Sequence, residues 1–212
     1  MKNQEHIAED TSIEKKELIT NLVCIEVEDV FSSKDEIETL LKQAEEGRWY
    51  MKGMESLVQK VETLKKQRKE FYLTFDEISE ILEWRYRLIW SNIIVPSMKK
   101  KINKKNIELI LKTVYAIKDR NEEKETALRL ALLKTLGLSV TRASNLLAVW
   151  SPKKYPILNW SIWRGLYKDD IEDISIEDYL HYMKDNAKIA TKFGVTLEQV
   201  SCALWQKWDT KH

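Results

Sequence analysis

The chain has 212 residues, 43% of them apolar, with eight tryptophans but only five glycines and three prolines. That is enough material for a sizeable core and too little turn punctuation for a many-stranded sheet, so composition leans to an all-α fold. The net charge of +1 gives no general attraction to nucleic acid, and two cysteines, Cys24 and Cys202, make neither a disulfide framework nor a four-thiolate metal site. No apolar run reaches the roughly eighteen residues of a membrane span, and the start Met1-Lys2-Asn3-Gln4-Glu5-His6 has no signal-peptide core. A cytoplasmic protein with no membrane contact is the expectation. His6, His181 and His212 are far apart and show no metal-ligand spacing, and no Gly-rich phosphate loop or Cys-x-x-Cys pair is present.

Charge is unevenly distributed. Residues 1–46 hold five basic and thirteen acidic side chains, residues 47–134 twenty and twelve, and residues 135–212 ten and nine. An acidic leader thus precedes a basic middle. Its lysines are either solvated helix faces or a local surface for phosphates.

In chain order, residues 1–12 read as a frayed polar end, and Ile13, Leu18 and Leu22 as helical spacing. The alternation Cys24-Ile25-Glu26-Val27-Glu28-Asp29-Val30-Phe31 fits a helix end or an extended segment. Ser33-Lys34-Asp35-Glu36 is a capping box opening a helix with Ile37, Leu40 and Leu41. Met54 to Lys69 is amphipathic, and Thr74-Phe75-Asp76-Glu77 caps a helix from Phe75 to about Trp90. Asn106 to Lys118 and Glu122 to Leu136 follow. Gly137 ends the latter, and Val140 to Trp150 resumes helical spacing. Ser151 to Tyr155 is a loop, and Pro156 leads into a helix to about Lys168. Ser175 caps the next helix, which ends at Gly194, and Thr196-Leu197-Glu198-Gln199 opens the last, to about Trp208. Roughly nine helices with short connections predict one all-α fold with two lobes, in which an acidic helical extension over 1–50 forms one compact unit with a helical domain over 51–212.

The stretch Leu136-Gly137-Leu138-Ser139-Val140-Thr141-Arg142-Ala143 is a tight turn between two helices. The second helix begins with free backbone N–H groups that favour a phosphate, and Thr141 and Arg142 add side-chain contacts to a DNA backbone. It resembles the hairpin of the helix–hairpin–helix DNA glycosylase superfamily, with Gly137 as the first glycine, Leu138 as the hydrophobic residue and Ala143 as the alanine. Ser139 replaces the second glycine, and Thr141 stands where bifunctional members carry the Schiff-base lysine, which disfavours lyase chemistry. Tyr155-Pro156-Ile157-Leu158-Asn159-Trp160-Ser161-Ile162-Trp163-Arg164 resembles the family segment aromatic-Pro-Ile-Leu-Asp, with the same spacing from Ala143 as in the adenine-removing mismatch and endonuclease III-type glycosylases.

The resemblance covers roughly residues 74–208. It implies a two-lobed glycosylase fold, double-stranded DNA as partner, docking by Gly137, Leu138, Ser139, Val140, Thr141 and Arg142, and a base taken out of the duplex. The family's catalytic aspartate falls on Asn159, which keeps the shape and loses the charge; Asn159 is also a good helix N-cap. Ser79-Glu80-Ile81 is similar to the start of the helix that supplies a glutamate acid, which makes Glu80 a candidate proton donor. Trp84, Arg85, Trp160 and Trp163 are candidate walls of the base pocket, against core packing for the tryptophans. Asp169, Asp170, Glu172 and Asp173 read as a solvated turn. The family's four-cysteine iron–sulfur tail is missing, and no cofactor is expected. Three functions follow: a monofunctional glycosylase, a DNA-binding module without chemistry, or an interaction scaffold whose acidic N-terminal region binds a protein partner.

Overall fold

The computed structural model describes residues 30–46, 53–89 and 104–209, with side chains described for most of these. Contacts divide the chain into two units, Met1–Ser32 and Ser33–His212. The expected helical spacing of residues 13–22, the alternation over 24–29 and Trp90 lie outside the described residues. Every described helix belongs to the second unit, and among the described residues there is no strand. No described helix is long and apolar enough to cross a membrane.

The helices are α1 (Lys34–Glu46), α2 (Met54–Gln67), α3 (Phe75–Ile89), α4 (Lys104–Ala116), α5 (Glu122–Thr135), α6 (Val140–Trp150), α7 (Trp160–Tyr167), α8 (Ile176–Phe193) and α9 (Leu197–Asp209). Packing gathers them around two hubs. Helix α6 is touched by α2, α3 and α5, and α9 by α1, α7 and α8; α5 also packs on α8. The apolar stripe of α6 explains its place, since Ala143, Leu146, Leu147, Ala148 and Val149 are all buried. Within the second unit α1 packs on α9, where Lys207 Nζ meets Glu36 Oε1 at 2.7 Å.

The expectation of a helix from Pro156 is corrected. Residues 155–159 form a buried non-helical strap, and α7 starts at Trp160. Tertiary hydrogen bonds explain the delay. Tyr179 donates to the Pro156 carbonyl and Tyr182 to the Ile157 carbonyl, both at 2.9 Å. Ser144 on α6 accepts from Leu158 N at 3.2 Å and donates to its carbonyl at 3.3 Å. A buried connection needs such partners for its backbone, and here side chains of α6 and α8 supply them. Burial pushes the Tyr179 and Tyr182 phenols well above their ordinary range, so both remain donors. Cys202 is a buried free thiol.

Helix α7 crosses α9 at Gly165. A Cβ there would fall inside van der Waals contact of the Leu204 carbonyl, so this close approach requires glycine. The Gly165→Ala variant is expected to lose roughly 1–3 kcal/mol of stability, the usual cost of overpacking. Urea unfolding at neutral pH checks this; an unchanged midpoint would show that the two helices part without cost.

A buried ionic cluster joins α4, α5 and the end of α6. Arg129, 3% exposed, donates to the Val114 and Ile117 carbonyls and to Glu125 Oε1, and its guanidinium lies 4.4 Å from the centre of the Trp150 ring. Glu125 also accepts from Lys154 Nζ at 2.8 Å and from Asp119 N at 3.2 Å. Burial disfavours its charge, yet the bonds from Lys154, Asp119 and Arg129 prevail and hold its carboxyl down to about 2. A folded value below the unfolded one contributes stability that is present above about pH 4.5 and lost as pH falls toward 2. The linkage is worth up to about 3 kcal/mol. Urea titrations between pH 6 and 2 are expected to show this decline in the wild type and a shallower one in Glu125→Gln.

Candidate functional site

The turn between α5 and α6 is built from ordinary capping chemistry. Leu136 ends α5, and Gly137 takes a left-handed conformation with φ of 82°, where glycine is preferred. Leu138 is buried and anchors the turn. Ser139 lies in extended backbone, φ −68°, so this position does not require glycine. Its hydroxyl caps α6 by accepting from Arg142 N at 3.4 Å, and it lies 2.8 Å from the Thr141 hydroxyl. The serine that replaces the second glycine of the resemblance therefore has a local function. The N–H groups of Val140 and Thr141 lie outside the intrahelical ladder, at the positive end of the helix dipole.

A second helix start lies beside the first. Asn159 caps α7, its Oδ1 accepting from Ile162 N at 2.9 Å. The Ser144 clip on Leu158 ties this start to α6. The first turns of α6 and α7 share one pocket of about 380 Å³, lined by Ser139, Thr141 and Arg142 from α6, Asn159, Trp160 and Ser161 from α7, and Asp173 and Ile174 from the connection to α8. Trp160 is 38% exposed, the one large exposed aromatic side chain among the described residues.

The pocket thus unites Ser139, Thr141, Arg142, Asn159 and Trp160 of the expected site. Gly137, Leu138 and Val140 shape the turn behind it, the latter two as buried residues. Other candidates are elsewhere. Glu80 on α3 forms an ion pair with Lys60 of α2, both about half exposed, and does not line the pocket. Trp84 packs on Gly53, where an added Cβ would stand 3.2 Å from its Nε1. The Arg85 side chain lies outside the described residues. Trp163 is 3% exposed and stacks at a tilt on Tyr167 with ring centres 4.2 Å apart, inside the core rather than at the pocket.

Ser161, Asp173 and Ile174 are the pocket residues outside the expected site; of these the sequence reading placed Asp173 in a solvated acidic turn. Within the acidic run 169–173 the side chains differ in surroundings. Asp170 pairs with Arg164, while Asp173 lines the pocket next to the buried Ile174. Only the fold distinguishes them; the sequence offers four similar carboxylates in five positions.

The α3 helix that carries Glu80 and Trp84 is fixed by its own cap. Thr74 and Glu77 exchange both capping-box bonds, at 2.8 and 3.3 Å, and Arg68 grips the Glu77 carboxylate with two nitrogens at 2.6 and 2.9 Å. Burial alone would raise the Glu77 pKa; the bonds from Arg68 and Thr74 outweigh it and hold the carboxyl below its ordinary range. Among the described residues, no group of histidine, cysteine and carboxylate side chains is arranged to hold a metal ion. The His181 Nε2 lies 3.1 Å from Asp185, which also accepts from Tyr167 and Lys188, away from the pocket.

The cap gives Asn159 a structural role separable from chemistry. Asn159→Ala is expected to cost about 1 kcal/mol of stability, while Asn159→Asp keeps a good cap and loses little. Thermal unfolding of the two variants checks this. Equal losses would mean that the capping bond is not what holds the start of α7.

Comparison of the chain with protein-family models, with curated proteins and with solved structures gives no match.

Proposed function

We propose that the chain is a double-stranded-DNA-binding protein of the base-excision glycosylase type, which docks through the α5–α6 turn and receives a flipped or modified nucleotide at the pocket beside it. The observation that carries this reading is the shared pocket. One surface combines two helix N-termini, the Arg142 side chain and an exposed tryptophan. Helix N-termini bind phosphate oxygens through backbone N–H groups, Arg142 adds a charge, and a flat exposed ring offers a stacking surface for an unstacked base. On this reading the hubs at α6 and α9 are the two lobes of a glycosylase fold. If active, the protein is a monofunctional hydrolase of N-glycosidic bonds without a Schiff-base amine.

The Asn159 cap favours a second reading on the same surface, a DNA-binding module without chemistry. Its side-chain oxygen is committed to Ile162 N, and an amide accepts no proton from water. Both readings predict the same docking. Affinity for a short duplex is expected to fall steeply as salt rises, and Arg142→Ala is expected to weaken binding for any sequence and to reduce the log–log salt slope by about one. Fluorescence anisotropy between 50 and 200 mM salt, a range set by the same counterion argument, measures both. Absence of binding at the low end, or indifference to Arg142, overturns the proposal and leaves the interaction-scaffold function.

A further inference from the structure

We infer that the groove along α8, between the start of α5, the loop before the strap and the start of α9, is a docking site for an amphipathic helix of a protein partner that carries a carboxylate midway along its apolar face. The inference stands apart from the nucleotide reading, since the groove shares no lining residue with the pocket at the starts of α6 and α7.

Two cavities make up the groove. One, of about 540 Å³, lies between the start of α5, the loop and α8; the other, of about 560 Å³, continues along α8 to the start of α9. They share Lys153, Ala187 and Leu197 and so form one channel. Its lining is largely apolar, with Leu180, Met183, Ala187 and Ala190 from α8, Leu197 from α9 and Pro152 from the loop. Steps of three and four residues place the four α8 side chains on one face of that helix. Leu180, Met183, Leu197 and Pro152 are half-buried and Ala187 is exposed, so apolar surface is left uncovered. The two alanines leave room for a bulky side chain of a partner.

The walls select a helix. Helices α5, α8 and α9 present sides whose backbone N–H and C=O groups are used in their own ladders. An extended peptide laid in the groove would find few partners for its main chain, whereas a helix satisfies its own and needs only apolar contact. From Leu180 to Thr191 the groove follows α8, a rise of about 16 Å or three turns.

Charge sets the chemistry of the partner. Lys154 pairs with Glu122 at 3.4 Å and with Glu125 at 2.8 Å, and Lys184 pairs with Glu123 at 2.9 Å, so these groups neutralise one another. Lys153 is exposed, lines both cavities, and makes no hydrogen bond or ion pair with the described residues. The uncommitted cation is thus at the middle of the groove. At the α9 end stands Glu198, whose carboxyl is raised above its ordinary range by burial and by Glu55, and a further carboxylate is unfavourable there. An acidic side chain of the partner therefore belongs opposite Lys153. The carboxylates of Glu122, Glu123 and Glu198 in the lining also disfavour a nucleic-acid strand as occupant.

The test uses the full chain and a fluorescein-labelled peptide of about fifteen residues, stapled because unconstrained helices of that length are marginal in water. Leucines form one face of the peptide, with a single glutamate midway along it. Fluorescence anisotropy is expected to show saturable binding in the micromolar range, as for a small interface. Ala187→Arg, which places a long side chain in the channel from an exposed position, is expected to weaken binding about tenfold or more. Lys153→Glu is expected to weaken it about tenfold, and a second peptide with lysine in place of the glutamate is expected to bind this variant better than the wild type. Circular dichroism checks that the variants fold; if Ala187→Arg does not, the charge exchange at the loop still decides. Absence of saturable binding by the wild type overturns the inference, and so does binding of the two peptides that is indifferent to residue 153. A wild-type chain that sediments as a dimer while Ala187→Arg is a monomer assigns the groove to a second copy and overturns it as well. Duplex binding reads the separate pocket and stands or falls by its own measurement.

Discussion

The guanidinium of Arg129 is the point from which the site is positioned. It is buried, and it reaches two carbonyls at the end of α4, the Glu125 carboxylate one turn earlier on α5, and the face of Trp150 at the end of α6. Helices α5 and α6 are the two arms of the turn at Gly137. Fixing the end of one arm against the start of the other, remote from the turn, determines where the turn projects. Buried charges add little net stability over apolar packing, but losing one partner strands the other at a cost of about 3–5 kcal/mol. The cluster is thus better understood as a device that sets the angle of the hairpin than as a source of folding energy. The aromatic series Phe71, Tyr115, Trp150 and Tyr155, with centre distances of 5.3, 5.1 and 5.8 Å, extends the same constraint to the segment before α3 and to the strap before α7.

How much could be read from the sequence depends on the range of the interactions involved. Helix starts were legible where a cap and its partner lie within four residues. Thr74 with Glu77 and Thr196 with Gln199 form both reciprocal bonds, and Ser33 accepts from Glu36 N. The position of Gly137 marked the end of α5 for the same local reason. The strap at 155–159 was not legible, because Pro156 is an acceptable start for a helix and the bonds that hold it extended come from Tyr179 and Tyr182, more than twenty residues away. The candidate site divides along the same line. Residues 139–142 and 159–160 each begin a helix, and the Ser144 clip to Leu158 brings those beginnings together. Glu80 rested on a three-residue resemblance and Trp163 on its ring, and the surroundings of both depend on α2 and the core.

Regional charge was a weaker guide than its size suggested. The basic middle of the chain has twenty cationic side chains, yet several are taken up within the fold. Lys60 pairs with Glu80, Lys65 with Glu62, Arg68 with Glu77, Lys124 with Asp119, and Arg129 is buried with Glu125. Surface pairs of this kind contribute little stability, but they reduce the field that the residues present to a phosphate. The basic run 99–105 lies largely outside the described residues. What the described surface offers a phosphate at the pocket is geometry more than charge: two helix starts and one arginine.

The same balance bears on what Asn159 does. An aspartate at the start of α7 would cap the helix as well as an asparagine and would carry charge into the pocket. It would then share about 380 Å³ with Asp173. Two carboxylates in so small a site repel one another, and one of them tends to hold a proton. With asparagine at 159 the cap is retained and a single carboxylate, that of Asp173, lines the pocket. The Asn159 side chain thus caps α7 and brings no charge of its own into the pocket.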